Sequence, residues 1–579
     1  MGDELIVKGR AGSVLVVGMA ETRAFLSVVR SLGRAGLEVH VVAAPLDAPA
    51  LRSRYIHAIH PMPAYKHGSD AWLQELKEIL ERESFDLVIP CDDTAIIPFQ
   101  LNRAALQTLP CQIYLLNEKA YAATIDKQQS YALVEALDIP RPRQIEINSL
   151  EELGNVGSLF GFPLIIKPIS SFTVHNLSAK RIVSRVRDDR ELLNVGSSIL
   201  HDGGSLLVQE FFKGVGVGVE VLCKDGKVLV AFQHRRLHEP QGGGGSSYRR
   251  SERLAPELLE ATRRIMAALQ YTGVCMAEFL YNKRENSWVF VELNGRFWGS
   301  LPLAIAAGVD FPLYLYQMLC HGQVDFPTAY NEHLYCRNWK KDLGWLGRGI
   351  QADIRKSPFK PASLVNFLAG LANIPLLRER NDTFVLDDPA PAVHEFRHLL
   401  DLALAIGTAP VLRARQRMRN RMLKRSRDCQ AVLFLCKGNI CRSPFASKLF
   451  AHRTANSIRV LSAGFHPSGR NSPEAAIDAA RSWDIDLAIH RSAVITEEML
   501  CSSDIVFAFD FYQVVTLREM FPSFASKVVL LGALDEGPLE IPDPFGGNAD
   551  DFQKVYARID SALSAALSYL PPVPLATET

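Results

Sequence analysis

The sequence predicts a multidomain chain built of α/β and α+β parts. Apolar strand-like runs alternate with helical stretches from residue 12 onward. A second strand–helix series begins abruptly at AVLFLC, residue 431. A length of 579 residues corresponds to about four domains. Hydrophobic residues make up 48% and charged residues 22%, a balance that gives buried cores rather than disorder. A net charge of +1 offers no bulk attraction to nucleic acid. The opening MGDELIVKGRAG lacks the apolar core of a signal peptide, and no run reaches the ~18 apolar residues of a membrane span. A cytoplasmic protein is therefore expected. None of the ten cysteines forms a CxxC pair, which excludes a zinc ribbon and argues against a secreted disulfide framework.

The elements follow in order. The strand SVLVVGM, the helical stretch AETRAFLSVVRSLGRAG and the strand LEVHVVAA open the chain, and SDAWLQELKEILERES leads into FDLVIPCDD. That alternation predicts a small parallel sheet within residues 1–115. Residues 116–325 mix helix, strand and hairpin in KQQSYALVEAL, PLIIK, SLLVQEFF and a turn near residue 285. Residues 326–427 read as a mostly helical extension, from FKPASLVNFLAGLANI and HEFRHLLDLALAI, ending in the basic run RARQRMRNRMLKRSR. The run is read as a solvated linker helix, with a membrane surface or nucleic acid as the alternative partner. Residues 428–579 carry the new α/β pattern and close in PPVPLATET.

Chemistry concentrates in AVLFLCKGNICRSPFASKLF. An apolar strand ends at Cys436, a short loop brings the chain round to Arg442, and Ser443 with Pro444 predicts an N-cap and first helical position. Inward-facing N–H groups and a helix N-terminus form a cradle for a dianion and favour the Cys436 thiolate. Arg442 is able to grip two oxygens of a phosphoryl group, which a lysine is not. A proton donor for the leaving oxygen is available in IPDPFGG, where Asp543 sits between two prolines.

The second region places Lys167 at the end of the strand PLIIK and Lys127 at the start of a helix. GVGVG lacks the GxGxxG spacing and opens a strand, so it is not a dinucleotide fingerprint. In the hairpin MAEFLY–NKRENS–WVFVELN, pairing centred on residue 285 sets Glu278 opposite Glu292, with Asn294 two residues along on the same face. Facing carboxylates repel unless a cation lies between them, and three oxygen donors on one face suit Mg²⁺.

The loop CKGNICRSP, LSAG at 461–464, SSDIVFAFD at 502–510 and the DPF at 543–545 resemble the low-molecular-weight protein tyrosine phosphatases. That resemblance implies an α/β domain with a central parallel sheet. It implies Cys436 as nucleophile, Arg442 as transition-state clamp, Asn439 and Ser443 as supports of loop and thiolate, and Asp543 as acid and then base. Ile440 stands where tyrosine phosphatases of the family carry Ile and arginine phosphatases Thr, which favours phosphotyrosine. FHPSGR lacks the aromatic wall residue of the family, and Phe545 replaces the usual Tyr. Only Cys501 follows Cys441, so the redox pair of an arsenate reductase is missing.

Residues from about 12 to 325 resemble the ATP-grasp enzymes, with a pre-ATP-grasp α/β domain followed by the ATP-grasp fold and its ELN signature. The resemblance implies Lys127 and Lys167 on ATP phosphates, Gln209, Glu210, Phe211 and Phe212 as adenine hinge, and Glu220 at the ribose. It further implies Glu278, Glu292 and Asn294 on Mg²⁺, and Arg296 facing the reacting phosphoryl or acyl group. The loop ISSFTVHNLSAK lacks the family's glycines, whereas HEPQGGGGSSYRR is glycine-rich and basic and is expected to cover the acceptor site, with a disordered linker as the alternative. The expected protein is a bifunctional enzyme, an ATP- and Mg²⁺-dependent carboxylate–amine or related ligase joined to a phosphatase. Its partners are a small carboxylate, a nucleophile, and a phosphorylated protein or small phosphomonoester. The alternatives treat the ATP-grasp part as a nucleotide sensor or a phosphotransferase.

Overall fold

The computed structural model describes residues 12–568 apart from Leu46, 175–176, 178–180, Ile182, 202–204, 240–244, 357–361, 408–428 and Asn548. The basic run at 413–427, the centre of the glycine-rich loop and the closing tail lie outside the described residues. The chain divides into two compact units, one of Met1–Ala43, Ser53–His60 and Lys77–Pro389, the other of Ala44–Arg52, Pro61–Leu76 and Ala390–Thr579.

The first unit begins with β1 (Ser13–Met19), β2 (Glu38–Ala44), β3 (Ile56–Ile59), β4 (Leu87–Pro90) and β5 (Gln112–Ile113), ordered β3-β2-β1-β4-β5. β1 pairs parallel with β4, as do β2 with β3 and β4 with β5. SVLVVGM is apolar without alternation because a parallel strand packs on both faces, and Val14, Leu15 and Val16 are fully buried. The helix Arg23–Arg34 follows β1 directly, capped by the Thr22 hydroxyl, which accepts from the Phe25 N–H at 3.2 Å.

A four-stranded antiparallel sheet holds β6 (Gln144–Ile147), β7 (Leu164–Pro168), β8 (Ser184–Val186) and β9 (Leu206–Glu210), in the order β6-β9-β7-β8. Its apolar face closes over Ile147, Leu164, Ile166 and Val208. The largest sheet contains β10 (Val215–Lys224), β11 (Lys227–His238), β12 (Tyr248–Glu252), β13 (Gly273–Asn282), β14 (Ser287–Asn294), β15 (Tyr335–Arg337) and β16 (Glu379–Asn381). The order is β14-β13-β10-β11-β12-β15-β16.

The last two strands correct the expectation of a separate helical extension from 326. β15 pairs antiparallel with β12, and β16 adds parallel to β15. An open β12 edge would leave a row of backbone groups unpaired, and these short strands cover it. The helices Trp339–Lys356 and Ala362–Leu371 belong to the first unit, whereas Ala390–Gly407 belongs to the second.

The second unit is organised on the parallel strands β17 (Ala431–Cys436), β18 (Arg459–Gly464), β19 (Ile505–Ala508) and β20 (Val528–Leu530), ordered β18-β17-β19-β20. Every residue of β17 is buried. Phe434, Phe445, Phe507 and Tyr556 pack on one face of this sheet, and Leu433, Leu435, Val506 and Leu517 on the other. Strand order reverses at β17, so a crevice opens at its carboxyl end, where Cys436 sits. Among the described residues, no single helix is long and apolar enough to cross a membrane.

Candidate functional site

The loop after β17 folds around the sulfur of Cys436. Asn439 adopts φ +51°, a left-handed conformation that Asn tolerates better than most residues. That turn aims the Asn439 N–H at Cys436 Sγ, 3.1 Å away. The Asn439 side chain is fixed from two directions: its Nδ2 donates to Ser443 Oγ at 2.8 Å, and its Oδ1 accepts from the Ala493 N–H at 2.7 Å. His490 Nε2 donates to the Asn439 carbonyl at 2.8 Å. Ser443 Oγ lies 3.0 Å from the sulfur. Because that oxygen already accepts from Asn439, its own proton is available to the sulfur, which lies nearer than the other acceptor in reach, the Ala463 carbonyl at 3.4 Å.

The expected capping role of Ser443 is thereby corrected. The helix runs Arg442–Arg453 with Cys441 at its N-cap, and no side chain caps it. The hydroxyl turns inward to the sulfur instead. Pro444 falls in the first turn, where a missing N–H leaves no helical hydrogen bond unmade.

Arg442 is 2% exposed. Its Nη1 donates to Asp510 Oδ2 at 2.8 Å and to the Ile541 carbonyl at 2.9 Å, while Nη2 pairs with Asp543 Oδ2 at 2.9 Å. Among the described residues, Nε has no partner. Asp510 is a residue the sequence reading did not assign. It caps the helix Phe511–Met520 by accepting from the Gln513 N–H, and it closes the motif SSDIVFAFD, which was the available signal. Cys441 is buried, and desolvation pushes its thiol well above the ordinary range, with Asp543 next in effect. Arg470, from FHPSGR, donates to the Gly438 carbonyl and so braces the loop from outside.

Gly464 is the floor under this loop. A Cβ there would come within 2.7 Å of the Asn439 nitrogen and 3.0 Å of the Lys437 oxygen, both backbone. Gly464→Ala is expected to lower kcat on an aryl phosphate about 10²-fold by displacing the loop. It is expected to cost about 1–3 kcal/mol of stability through overpacking. Steady-state kinetics and denaturant unfolding check both.

In the first unit, β13 and β14 pair as expected at the functional end: Glu278 lies opposite Glu292 and Met276 opposite Asn294. A bulge after Glu278 shifts the rest of the ladder by one residue. The sequence reading missed a protein cation on one of the two carboxylates. Arg236 of β11 reaches across β10 to Glu278, its Nη2 standing 2.6 Å from Oε2. It is able to cross because β10 presents glycine there. A Cβ on Gly216 would lie 2.7 Å from Arg236 Cδ, and one on Gly218 would lie 2.3 Å from His234 Cε1. The GVGVG run is thus a trough in a sheet. Burial pushes the Glu278 carboxyl up, Arg236 pulls it back, and Glu292 adds to the rise.

Lys127, Glu292, Asn294 and Arg296 line one cleft together with Asp93, Ser170 and Ser171. Lys127 Nζ donates to Ser171 Oγ at 3.2 Å. Arg296 is tethered by Asp93 at 2.8 Å and donates to Asn294 Oδ1 at 2.9 Å. Lys167 is buried and donates to the Tyr131 hydroxyl at 3.1 Å, and that hydroxyl donates to the Val291 carbonyl of β14. At the end of β9, Gln209 donates to Gln144 at 2.6 Å, Glu210 pairs with Arg143 at 2.9 Å, and the Arg185 guanidinium stacks 4.0 Å from the Phe211 ring. Phe212 follows, its ring 3.0 Å from where a Cβ on Gly214 would stand.

Glu220 departs from its expected place at a ribose. It is 0% exposed, its Oε1 accepts from Ser300 Oγ at 2.5 Å, and His234 Nδ1 stands 2.8 Å away. An interior strand of the sheet, β10, buries its carboxylate among internal partners.

The family model for low molecular weight phosphotyrosine protein phosphatases matches residues 431–571. The model described as an ATP-grasp in the biosynthetic pathway with Ter operon matches residues 203–341. Over 133 residues the chain is 32% identical to the low molecular weight protein-tyrosine-phosphatase Etp of Escherichia coli (strain K12), covering 23% of this chain and 88% of that protein. Over 138 residues it is 33% identical to the protein-arginine-phosphatase of Bacillus subtilis (strain 168), covering 23% and 91%. The crystal structure of an L-amino acid ligase from Bacillus licheniformis aligns with a TM-score of 0.42 and 16% identity over 54% of this chain and 75% of that one. Through residues 431–571 the chain belongs to the low molecular weight protein-tyrosine-phosphatase family, and that region follows an ATP-grasp region.

Proposed function

We propose that the chain is a bifunctional enzyme, a cysteine-dependent phosphatase acting on phosphotyrosine or a small phosphomonoester, joined to an ATP-dependent carboxylate–amine or related ligase. For the phosphatase, the carrying observation is the sulfur of Cys436 held by the Asn439 N–H and the Ser443 hydroxyl beside the buried Arg442. Cys436 Sγ attacks phosphorus as the bond to the leaving oxygen breaks, and Asp543 gives that oxygen its proton. Incoming phosphoryl oxygens take over the Arg442 N–H groups that now face Asp543, which frees the acid for the leaving group. Water then attacks the phosphocysteine, with Asp543 receiving its proton. Ile440 favours phosphotyrosine over phosphoarginine as substrate, since it occupies the position where arginine phosphatases carry Thr.

Asp543→Asn is expected to slow phosphoenzyme formation about 10²–10⁴-fold with a poor leaving group, the usual contribution of a general acid. With p-nitrophenyl phosphate the loss in that step is expected to be smaller. Rapid-quench measurement of phosphoenzyme formation decides it, and equal losses for both substrates refute the acid role.

For the ligase, the carrying observation is the cleft shared by Lys127, Glu292, Asn294 and Arg296. Glu292 and Asn294 offer oxygen donors in that cleft and Glu278 lies opposite Glu292, a donor set that suits a divalent cation, which would draw Glu278 away from Arg236. Such an ion would neutralise phosphate charge when bound. Lys127 and Lys167 bind phosphate oxygens, and Arg296, fixed by Asp93, orients the reacting carboxylate for attack on the terminal phosphorus. ADP leaves as the acyl phosphate forms. The nitrogen of an incoming amine then bonds to the acyl carbon, the carbon–oxygen bond to phosphate breaks, and inorganic phosphate and a proton are released with the amide. Incubation with ATP, acids and amines tests this: ADP with amide supports the ligase, ADP with a stable phospho-product indicates a phosphotransferase, and no turnover indicates a sensor.

A further inference from the structure

The edge of the first sheet gathers imidazoles around a carboxylate. Glu38 and His40 stand two residues apart on β2 and so share a face. The edge strand β3 adds His57. Pairing slips by one residue there: Val39 faces Ile56 and His40 faces Ala58, so His57 is the extra residue of a bulge. A bulge re-aims a side chain, and the His57 ring stacks 4.9 Å from that of His40. One ligand atom from each of Glu38, His40 and His57 lies within 4.8 Å of the other two.

His40 is held from behind. It is buried, and its Nδ1 lies 2.8 Å from Nε2 of His60, which is buried as well. The two rings are nearly parallel, at 8°, and Phe85 meets both edge-on, at 5.1 and 6.5 Å. A hydrogen bond between two imidazoles needs a lone pair on one of them, so at least one ring is neutral. With Nδ1 so engaged, Nε2 is the His40 atom left for a ligand. Arg82 Nη2 stands 3.4 Å from His60 Nδ1, longer than an ordinary hydrogen bond, so the shared proton is free to sit on His40 Nδ1. A metal-binding histidine is oriented in this way, its second ring nitrogen donating to an outer partner.

The cluster opens to solvent, since Glu38 is half-buried and His57 exposed. Zinc–nitrogen bonds of about 2.0–2.1 Å put tetrahedral ligands about 3.3 Å apart. Side-chain rotation of Glu38 and His57, neither of them locked in the core, closes the difference from 4.8 Å. None of the three residues lines the nucleotide cleft.

We propose that Glu38, His40 and His57 form a site for a divalent transition metal of the zinc type, with His60 holding the His40 ring and a fourth position left to water. Two imidazoles and a carboxylate suit zinc, whereas magnesium and calcium take oxygen ligands. The ion would tie the edge strand β3 to β2. Cobalt(II), a zinc surrogate with visible absorption, is titrated into the full chain without an affinity tag, and zinc is then added in competition. Saturable absorption displaced by zinc is expected. It should lack the near-ultraviolet charge-transfer band of cobalt on thiolate, which separates this site from Cys436 and the other thiols. His57→Ala and Glu38→Gln are each expected to raise the cobalt Kd at least tenfold.

Both side chains reach solvent, so the two variants should fold, and circular dichroism confirms it. Zinc is expected to raise the melting temperature of the parent chain, as a ligand of the folded state does, and to raise that of His57→Ala less. Absence of saturable cobalt binding, a spectrum that carries the thiolate band alone, or an unchanged Kd in either variant overturns the proposal. An equal zinc-dependent rise in melting temperature for parent and His57→Ala also overturns it.

Discussion

Cys436→Ser should lower hydrolysis of p-nitrophenyl phosphate by roughly 10⁴-fold or more, the order seen when a covalent nucleophile is removed. The reason is local. The loop brings the Asn439 N–H to 3.1 Å and the Ser443 hydroxyl to 3.0 Å of this one atom, and those donors stabilise a thiolate. A serine hydroxyl in the same pocket stays protonated at neutral pH and is a poor nucleophile without a neighbouring base. Its backbone cradle and Arg442 remain, so phosphate or vanadate should still bind. ADP release by the ATP-grasp region should persist. Retention of more than a few per cent of the phosphatase activity would remove Cys436 from the nucleophile's role.

Glu292→Gln should reduce Mg²⁺-dependent ADP release about 10²-fold or more, because a neutral amide is a far weaker partner for a divalent ion than a carboxylate. The variant should also lose most of the thermal stabilisation that Mg-ATP confers, a contribution of about 2.7 kcal/mol for a ligand at 100 times its Kd. The structure changes what is expected without ligand. Two bare facing carboxylates would repel, and removing one would then stabilise the metal-free protein. Arg236 stands against Glu278 at 2.6 Å, and Asn294 Nδ2 donates to Glu292 Oε1 at 3.2 Å. Little repulsion is left to relieve, so the metal-free variant should stay within about 1 kcal/mol of the parent. Normal ADP release would refute the metal site. A large stability gain without ligand would show that Arg236 does not screen the pair.

The phosphatase loop was legible because its chemistry is contiguous. Strand, anion-binding turn and helix N-terminus fall within CKGNICRSP, where backbone geometry follows from local residue types such as Asn439 at positive φ. The Glu278–Glu292 pairing was legible for a related reason, since a tight hairpin fixes register from its turn. Asp510 lay within a quoted motif but acquired its role only when two parallel strands set it beside Arg442.

The remaining assignments were decided by tertiary structure, because they depend on which strands become neighbours. Glycines at alternate positions of β10 say nothing about Arg236 until β11 lies beside them. Glu220 resembles any acidic residue of a strand until burial joins it to Ser300. Arg23, Arg249 and Asp382 lie more than a hundred residues from one another and meet only because β15 and β16 extend the sheet past β12. Sequence by itself determined the phosphatase loop and the register of the Glu278–Glu292 hairpin, which reside in short segments whose backbone geometry is local. Tertiary structure decided which buried charges neutralise one another, because the electrostatic cost of a buried ion depends on neighbours that the chain supplies from afar.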